Sequence, residues 1–250
     1  APFWGIAMYK KKFFLALILG LCVITVPGVM LAGPFSLNVI DTPTTFISYK
    51  GDLQFDFTMY DNGGILGSAS LSVSDYIFLG LYFDVGKLIG SQDVQFYQPG
   101  VLARFLISDG SGAIPPIAIG YSYFMRGDVH RVDGQVVNGL YVVASQSFFL
   151  FEMEQYFFFG LRYPVIPLTY SHPRNTNLFL STILEFTPEF SVKGEIENIY
   201  FSENRGSEVY YNLGFELNVV DLVTLGLDLK YSPSISRVVR LLRIGYTTQF

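Results

Sequence analysis

Apolar and polar residues alternate along this chain to its last residue. In 241–250, LLRIGYTTQF, one face carries Leu242, Ile244, Tyr246 and Phe250, broken by Thr248. The other carries Leu241, Arg243, Gly245, Thr247 and Gln249. A period of two marks a strand with one apolar and one polar face. A strand that ends on an aromatic ring leaves an edge that something else must seal. About twelve segments of this kind run from 53–60 to 238–249, most of them near the bilayer-spanning length of about 9–11 residues. An even number of antiparallel strands can close on itself, pairing the last with the first and removing the edge.

Composition separates a membrane barrel from a soluble one. The chain is 50% hydrophobic but 15% charged, against about 25% charged for soluble domains. Beyond the N-terminus no run reaches the roughly 18 uncharged residues of a membrane helix. Apolarity without helical spans is what a barrel produces, because only alternate residues meet lipid. The polar face carries many Ser, Thr, Gly and Tyr and few Lys, a poor solvent face for a soluble sandwich. The expectation is an all-β fold: a transmembrane antiparallel β-barrel of the bacterial outer-membrane type. Its partners would be outer-membrane lipid and the barrel assembly machinery, which reads a terminal aromatic preceded by alternating hydrophobics; Leu242, Ile244, Tyr246 and Phe250 form that signal here. A net charge of −5 argues against a nucleic-acid partner.

The N-terminus reads as an address. Lys10, Lys11 and Lys12 precede the apolar run 13–26, and Pro27 and Gly28 break it. This is the pattern of a secretory signal peptide, with Met8 as the expected start. Cys22, the one cysteine, lies within it, so no disulfide is expected in the remainder. The division is then 1–32 as extension and signal, 33–52 as a periplasmic lead-in, and 53–250 as barrel. A short plug in the lumen is the alternative for the segment around IDTPTT (40–45). The connections 61–64, 87–96, 127–137, 164–176, 202–208 and 232–237 are on the whole longer than those between them, as outer loops are.

The strand register sorts side chains. In the first strand Leu53, Phe55, Phe57 and Met59 are expected to face lipid, with Gln54, Asp56 and Thr58 inward. The inward register also holds Arg104, Arg162, Glu185, Lys193, Glu195, Glu197, Glu216, Asp228, Lys230 and Arg243. A charge on the lipid face at mid-depth costs about 2–4 kcal/mol for Arg or Lys. This cluster could give a lumen that selects solutes by charge. It could equally fill the lumen with ion pairs. The mixed signs on neighbouring strands favour the filled lumen.

Several stretches carry a resemblance. They are IDTPTT (40–45), GGILGSASLSVSDYIFLGLYF (63–83), LIGSQDVQFYQPGVLARFLI (88–107) and IAIGYS (117–122). With Thr42, Pro43, Thr44, Gly63, Gly64, Ile89, Gly90, Ser91, Asp93, Pro99, Gly100, Val101, Ile119 and Gly120, this region resembles the YjbH-like outer-membrane family. The likeness spans roughly 40–125, and this chain is much shorter than the large members. It implies a barrel associated with exopolysaccharide production, with polysaccharide export components as partners and no catalytic residues.

No other motif points to chemistry. His130 and His172 both fall in expected outer loops, and DVHRVD (128–133) offers only Asp128, His130 and Asp133 in a charged loop. No metal-ligand spacing and no phosphate loop is present. The expectation is a protein that is not an enzyme and binds no cofactor or metal. Its role would be structural or accessory to exopolysaccharide secretion, with a passive porin-like channel as the competing reading.

Overall fold

The computed structural model describes residues 36–127, 135–150, 153–165, 176–200, 209–220, 222–233 and 236–249. Thirteen strands run in chain order: β1 (Asp52–Tyr60), β2 (Gly64–Ser74), β3 (Ile77–Gly86), β4 (Gln95–Phe96), β5 (Gly100–Ser108), β6 (Ile117–Arg126), β7 (Gln135–Leu150), β8 (Met153–Tyr163), β9 (Asn177–Thr187), β10 (Phe190–Tyr200), β11 (Tyr210–Val220), β12 (Val223–Ser232) and β13 (Arg237–Gln249). β4 is a two-residue piece paired to β3. The other twelve form one antiparallel wall, each strand paired to the next. β13 pairs with β1 from Asp52↔Gln249 to Met59↔Leu242, and this seam closes the barrel. Phe250 lies outside the described residues.

Two boundaries differ from the sequence reading. β5 begins at Gly100 rather than at residue 97. Before it, Tyr97 donates its N–H to the Asp84 carbonyl and its ring lies over Gly86. β7 runs from Gln135 to Leu150 and β8 starts at Met153, so 148–155 extends both flanking strands. In the DNGG turn Asn62 and Gly63 take φ of 63° and 70°, the positive values a tight hairpin needs.

The outward face is apolar along the middle of the wall. Leu79, Leu81, Leu213, Leu217, Leu225 and Leu227 all point outward. Exposed aromatics gather at both ends, with Tyr76, Phe149, Phe186 and Tyr246 at one and Phe96, Tyr163, Tyr211 and Tyr231 at the other. An apolar band between two aromatic girdles on a closed wall is the surface of a bacterial outer-membrane barrel. The end that carries the longer connections, such as 87–99 and 164–176, is the outer end.

The interior is not uniformly polar. β2, β3 and β5–β9 turn Leu66, Phe78, Tyr82, Phe124, Tyr141, Tyr156, Phe158 and Phe179 inward. β10–β13 and β1 turn in mostly charged and polar groups. One half of the lumen is therefore mainly aromatic, with Asp84, Arg104, Arg126 and Arg162 set among the rings, and the other mainly charged.

Candidate functional site: a hairpin inside the lumen

Residues 36–48 occupy the space between those halves. For 36–48 the place is thus that of a lumen plug, the alternative to a periplasmic lead-in. Leu37, Val39, Ile40, Asp41, Thr42, Thr44, Thr45 and Phe46 are all buried, and Asn38 and Pro43 face each other as an isolated bridge. Val39 donates to the Thr42 carbonyl at 2.9 Å and Thr44 to the Leu37 carbonyl at 3.1 Å. The segment is thus a small hairpin with Ile40 and Asp41 at its tip. The tip reaches the outer half, beside Arg126 and Arg162 at the outer ends of β6 and β8. The physical reason for the burial is a match of faces. The segment carries apolar side chains for the aromatic half and donors for the charged half, so both find partners only inside.

On the aromatic side, Phe46 meets Tyr156 and Phe158 edge-on with centroids at 5.1 and 5.3 Å. Val39 joins the same cluster, and Leu37 packs with Leu66, Phe78, Tyr82, Leu102, Phe124 and Val137. Arg104, fully buried on β5, clamps the hairpin from this side. Its guanidinium donates to the Phe46 carbonyl at 2.9 Å, the Thr44 hydroxyl at 3.3 Å and the Asn38 side-chain oxygen at 3.2 Å. Its Nε donates to the Tyr141 hydroxyl at 3.0 Å. Thr45 and Ser145 share a hydrogen bond of 2.7 Å. Gly120 makes room here, since a Cβ on it would lie 2.4 Å from the Tyr141 hydroxyl.

On the charged side, Glu195 of β10 receives the tip. The N–H groups of Ile40, Asp41 and Thr42 donate to Oε2 at 3.1, 3.1 and 3.0 Å. Three successive amides converging on one carboxylate form an anion-binding concavity. The Thr42 hydroxyl lies 2.8 Å from the same oxygen, and the Asn212 amide donates to Oε1 at 2.5 Å. Asp41 is held by Arg126, 2.5 Å away, and by Lys230. Lys230 also reaches Glu197 at 3.1 Å, and Arg162 donates to the Asp41 carbonyl at 3.2 Å.

The residues placed inward by the sequence thus fall into groups. Arg162, Glu195, Glu197 and Lys230 surround the hairpin tip. Asp56, Lys193, Glu216, Asp228 and Arg243 form a second network nearer mid-depth. There Lys193 meets Glu216 at 2.6 Å and Arg243 grips Asp228 through two nitrogens, at 2.6 and 3.1 Å. Arg243 also approaches Glu216 at 3.6 Å, and Ser68 donates to Asp56 at 3.4 Å. Arg104 stands apart as the clamp. Glu185 sits half-buried near the inner mouth, lining a cavity of about 20 Å³ beside Ser36 and Phe46. A cavity of about 60 Å³ lies between the hairpin and the β1–β6 wall, bordered by Asn38, Asp41, Asp56, Arg126 and Arg243. That is room for a few waters.

Sequence reasoning missed Asp41 and Arg126. Arg126 lies on the inward register of β6 with Ala118, Gly120, Ser122 and Phe124, so continuing the period of two would have found it. Asp41 lies in no strand and gave no such signal. Asp41, Glu195 and Glu197 bring oxygens within 4.8 Å of one another. Arg126, the tip amides and Lys230 each engage an oxygen of Asp41, Glu195 and Glu197 in turn. His130, His172, Asp128 and Asp133 lie outside the described residues. The assembly-signal residues Leu242, Ile244 and Tyr246 face outward on β13.

Two of the resemblance residues, Gly63 and Ile89, meet in space. Ile89 donates its N–H to the Gly63 carbonyl at 3.0 Å, and a Cβ on Gly63 would lie 2.0 Å from the Ile89 carbonyl oxygen. The loop after β3 thereby folds over the DNGG turn, while Thr42, Pro43 and Thr44 belong to the hairpin.

No known family's sequence model matches the chain, and no curated protein matches it. Among solved structures it is similar to a KdgM porin in complex with disordered oligogalacturonate, at 12% identity and a TM-score of 0.49, over 80% of this chain and 99% of that one. Omp33 of Acinetobacter baumannii aligns at 10% identity and 0.46, over 81% and 98%. The NanC porin aligns at 8% and 0.46, over 79% and 99%.

Proposed function

We propose that this outer-membrane barrel is a gated, porin-like channel whose passage is stoppered by its own hairpin. The observation that carries this reading is the way Glu195 holds the hairpin tip. The stopper is fastened to the charged wall by hydrogen bonds and ion pairs, which water and ions can replace, rather than by a continuous dry core. Withdrawal of residues 36–48 would leave a lumen lined on one side by Lys193, Glu195, Glu197, Asp228, Lys230 and Arg243.

A second reading is an accessory role in exopolysaccharide secretion, in which the barrel stays closed. It is favoured by the resemblance over 40–125, whose Thr42, Pro43 and Thr44 lie in the hairpin itself.

Single-channel conductance of the refolded full chain in a planar bilayer separates the two. The expected result is a quiet wild type and frequent openings in Glu195→Gln. A barrel that folds but stays silent in every hairpin-docking variant would overturn the channel and leave the accessory role. Surface polysaccharide in cells lacking the protein would then be the measurement.

A further inference from the structure

The Asp41 carboxylate sits in a site that belongs to the wall. Arg126 of β6 and Lys230 of β12 approach it from different strands, and Arg162 of β8 holds the adjoining carbonyl. All four side chains are nearly or fully buried. Among the described residues around the tip, the cations Arg126, Arg162 and Lys230 face the carboxylates Asp41, Glu195 and Glu197. The next carboxylate along the wall, Asp228, is taken by Arg243. When the hairpin leaves, one carboxylate leaves with it. The place between Arg126 and Lys230 that Asp41 fills is then open to the lumen, while Lys230 keeps Glu197. An arginine fork beside a lysine is a strong receptor for a carboxylate.

We infer that Arg126, Lys230 and Arg162 form a carboxylate-binding site in the outer half of the lumen, and that Asp41 occupies it as an internal stand-in for a carboxylate-bearing solute. The inference rests on the gated-channel reading for the source of that solute. Solute and Asp41 compete for one place, so an acid entering from outside favours the undocked hairpin.

Chemical rescue tests the site without requiring conduction. Asp41→Ala removes a carboxylate group, and formate supplies one. Hydrogen exchange of the 36–48 peptide, read by mass spectrometry on the refolded full chain, reports docking. Asp41→Ala is expected to speed exchange and formate to slow it saturably, at concentrations at least about tenfold below those at which formamide acts. Adding Arg126→Gln to Asp41→Ala abolishes the rescue. Equal action of formate and formamide, or rescue that survives Arg126→Gln, overturns the site. Should Asp41→Ala refold poorly, refolding yield with formate against formamide separates the same two outcomes. The two readings fail separately. Rescue in a barrel whose variants never conduct keeps the site and removes the channel. Conduction without rescue does the reverse.

Discussion

At the residue scale, two side chains on opposite walls hold the hairpin by different chemistry. Glu195 accepts from three backbone amides and a hydroxyl. A glutamine there keeps one acceptor oxygen and presents an amide to donors. Glu195→Gln is expected to weaken docking by about 2–3 kcal/mol, since buried donors are left unpaired. Hydrogen exchange of the hairpin should quicken while the wall strands stay protected. Arg104→Met removes the donors to the Phe46 carbonyl, Thr44 and Asn38 from the other side. About 1–3 kcal/mol of docking should be lost. Exchange over 44–46 should quicken, again with barrel mobility on an unheated gel unchanged.

At the scale of elements, the Thr45–Ser145 contact offers a lock between hairpin and β7. Hydroxyl oxygens 2.7 Å apart place the two side chains close to the spacing of a disulfide. Thr45→Cys with Ser145→Cys should cross-link on oxidation and, on the gated-channel proposal, keep a bilayer silent even with Glu195→Gln and restore openings on reduction. Openings that persist in the oxidised protein would place the passage elsewhere. Elements also differ in how far the sequence reveals them. β12 was legible, with Leu225 and Leu227 outward and Asp228 and Lys230 inward. In β8 only Arg162 marked the inward face. Tyr156 and Phe158 point in while Phe157, Phe159 and Leu161 point out, so both faces are apolar and the aromatics alone do not assign them. An aromatic inner face makes sense only with an apolar object in the lumen. That object, 36–48, is too short and irregular to show a period of its own. The lumen charges were legible as a set, because a polar register persists along each strand. Their division into a network around Asp41 and another around Arg243 depends on the hairpin, and so was hidden with it.

At the scale of the whole molecule, the wall is a closed hydrogen-bonded surface in lipid, and its stability depends on depth. Leu227 faces outward in the middle of β12. Leu227→Arg should cost about 2–4 kcal/mol in barrel unfolding, whereas Val238→Arg near the outer rim should cost about 0–1. Urea titration in lipid vesicles, followed by gel mobility, checks the difference. Equal costs would mean that the apolar band does not lie where the two girdles place it.

Chain order gives the hairpin one more consequence. Residues 36–48 lead through Gly51 directly into β1, one lip of the seam, and their partner Glu195 lies more than 150 positions later. Contacts so distant in sequence are slow to find. A tethered tip that captured Glu195 and Lys230 early would draw β10–β13 toward β1 and shorten the last search. The segment that fills the lumen would then also act as a former around which the cylinder is wound. A barrel carrying Glu195→Gln should therefore close its seam more slowly, as well as leak once closed.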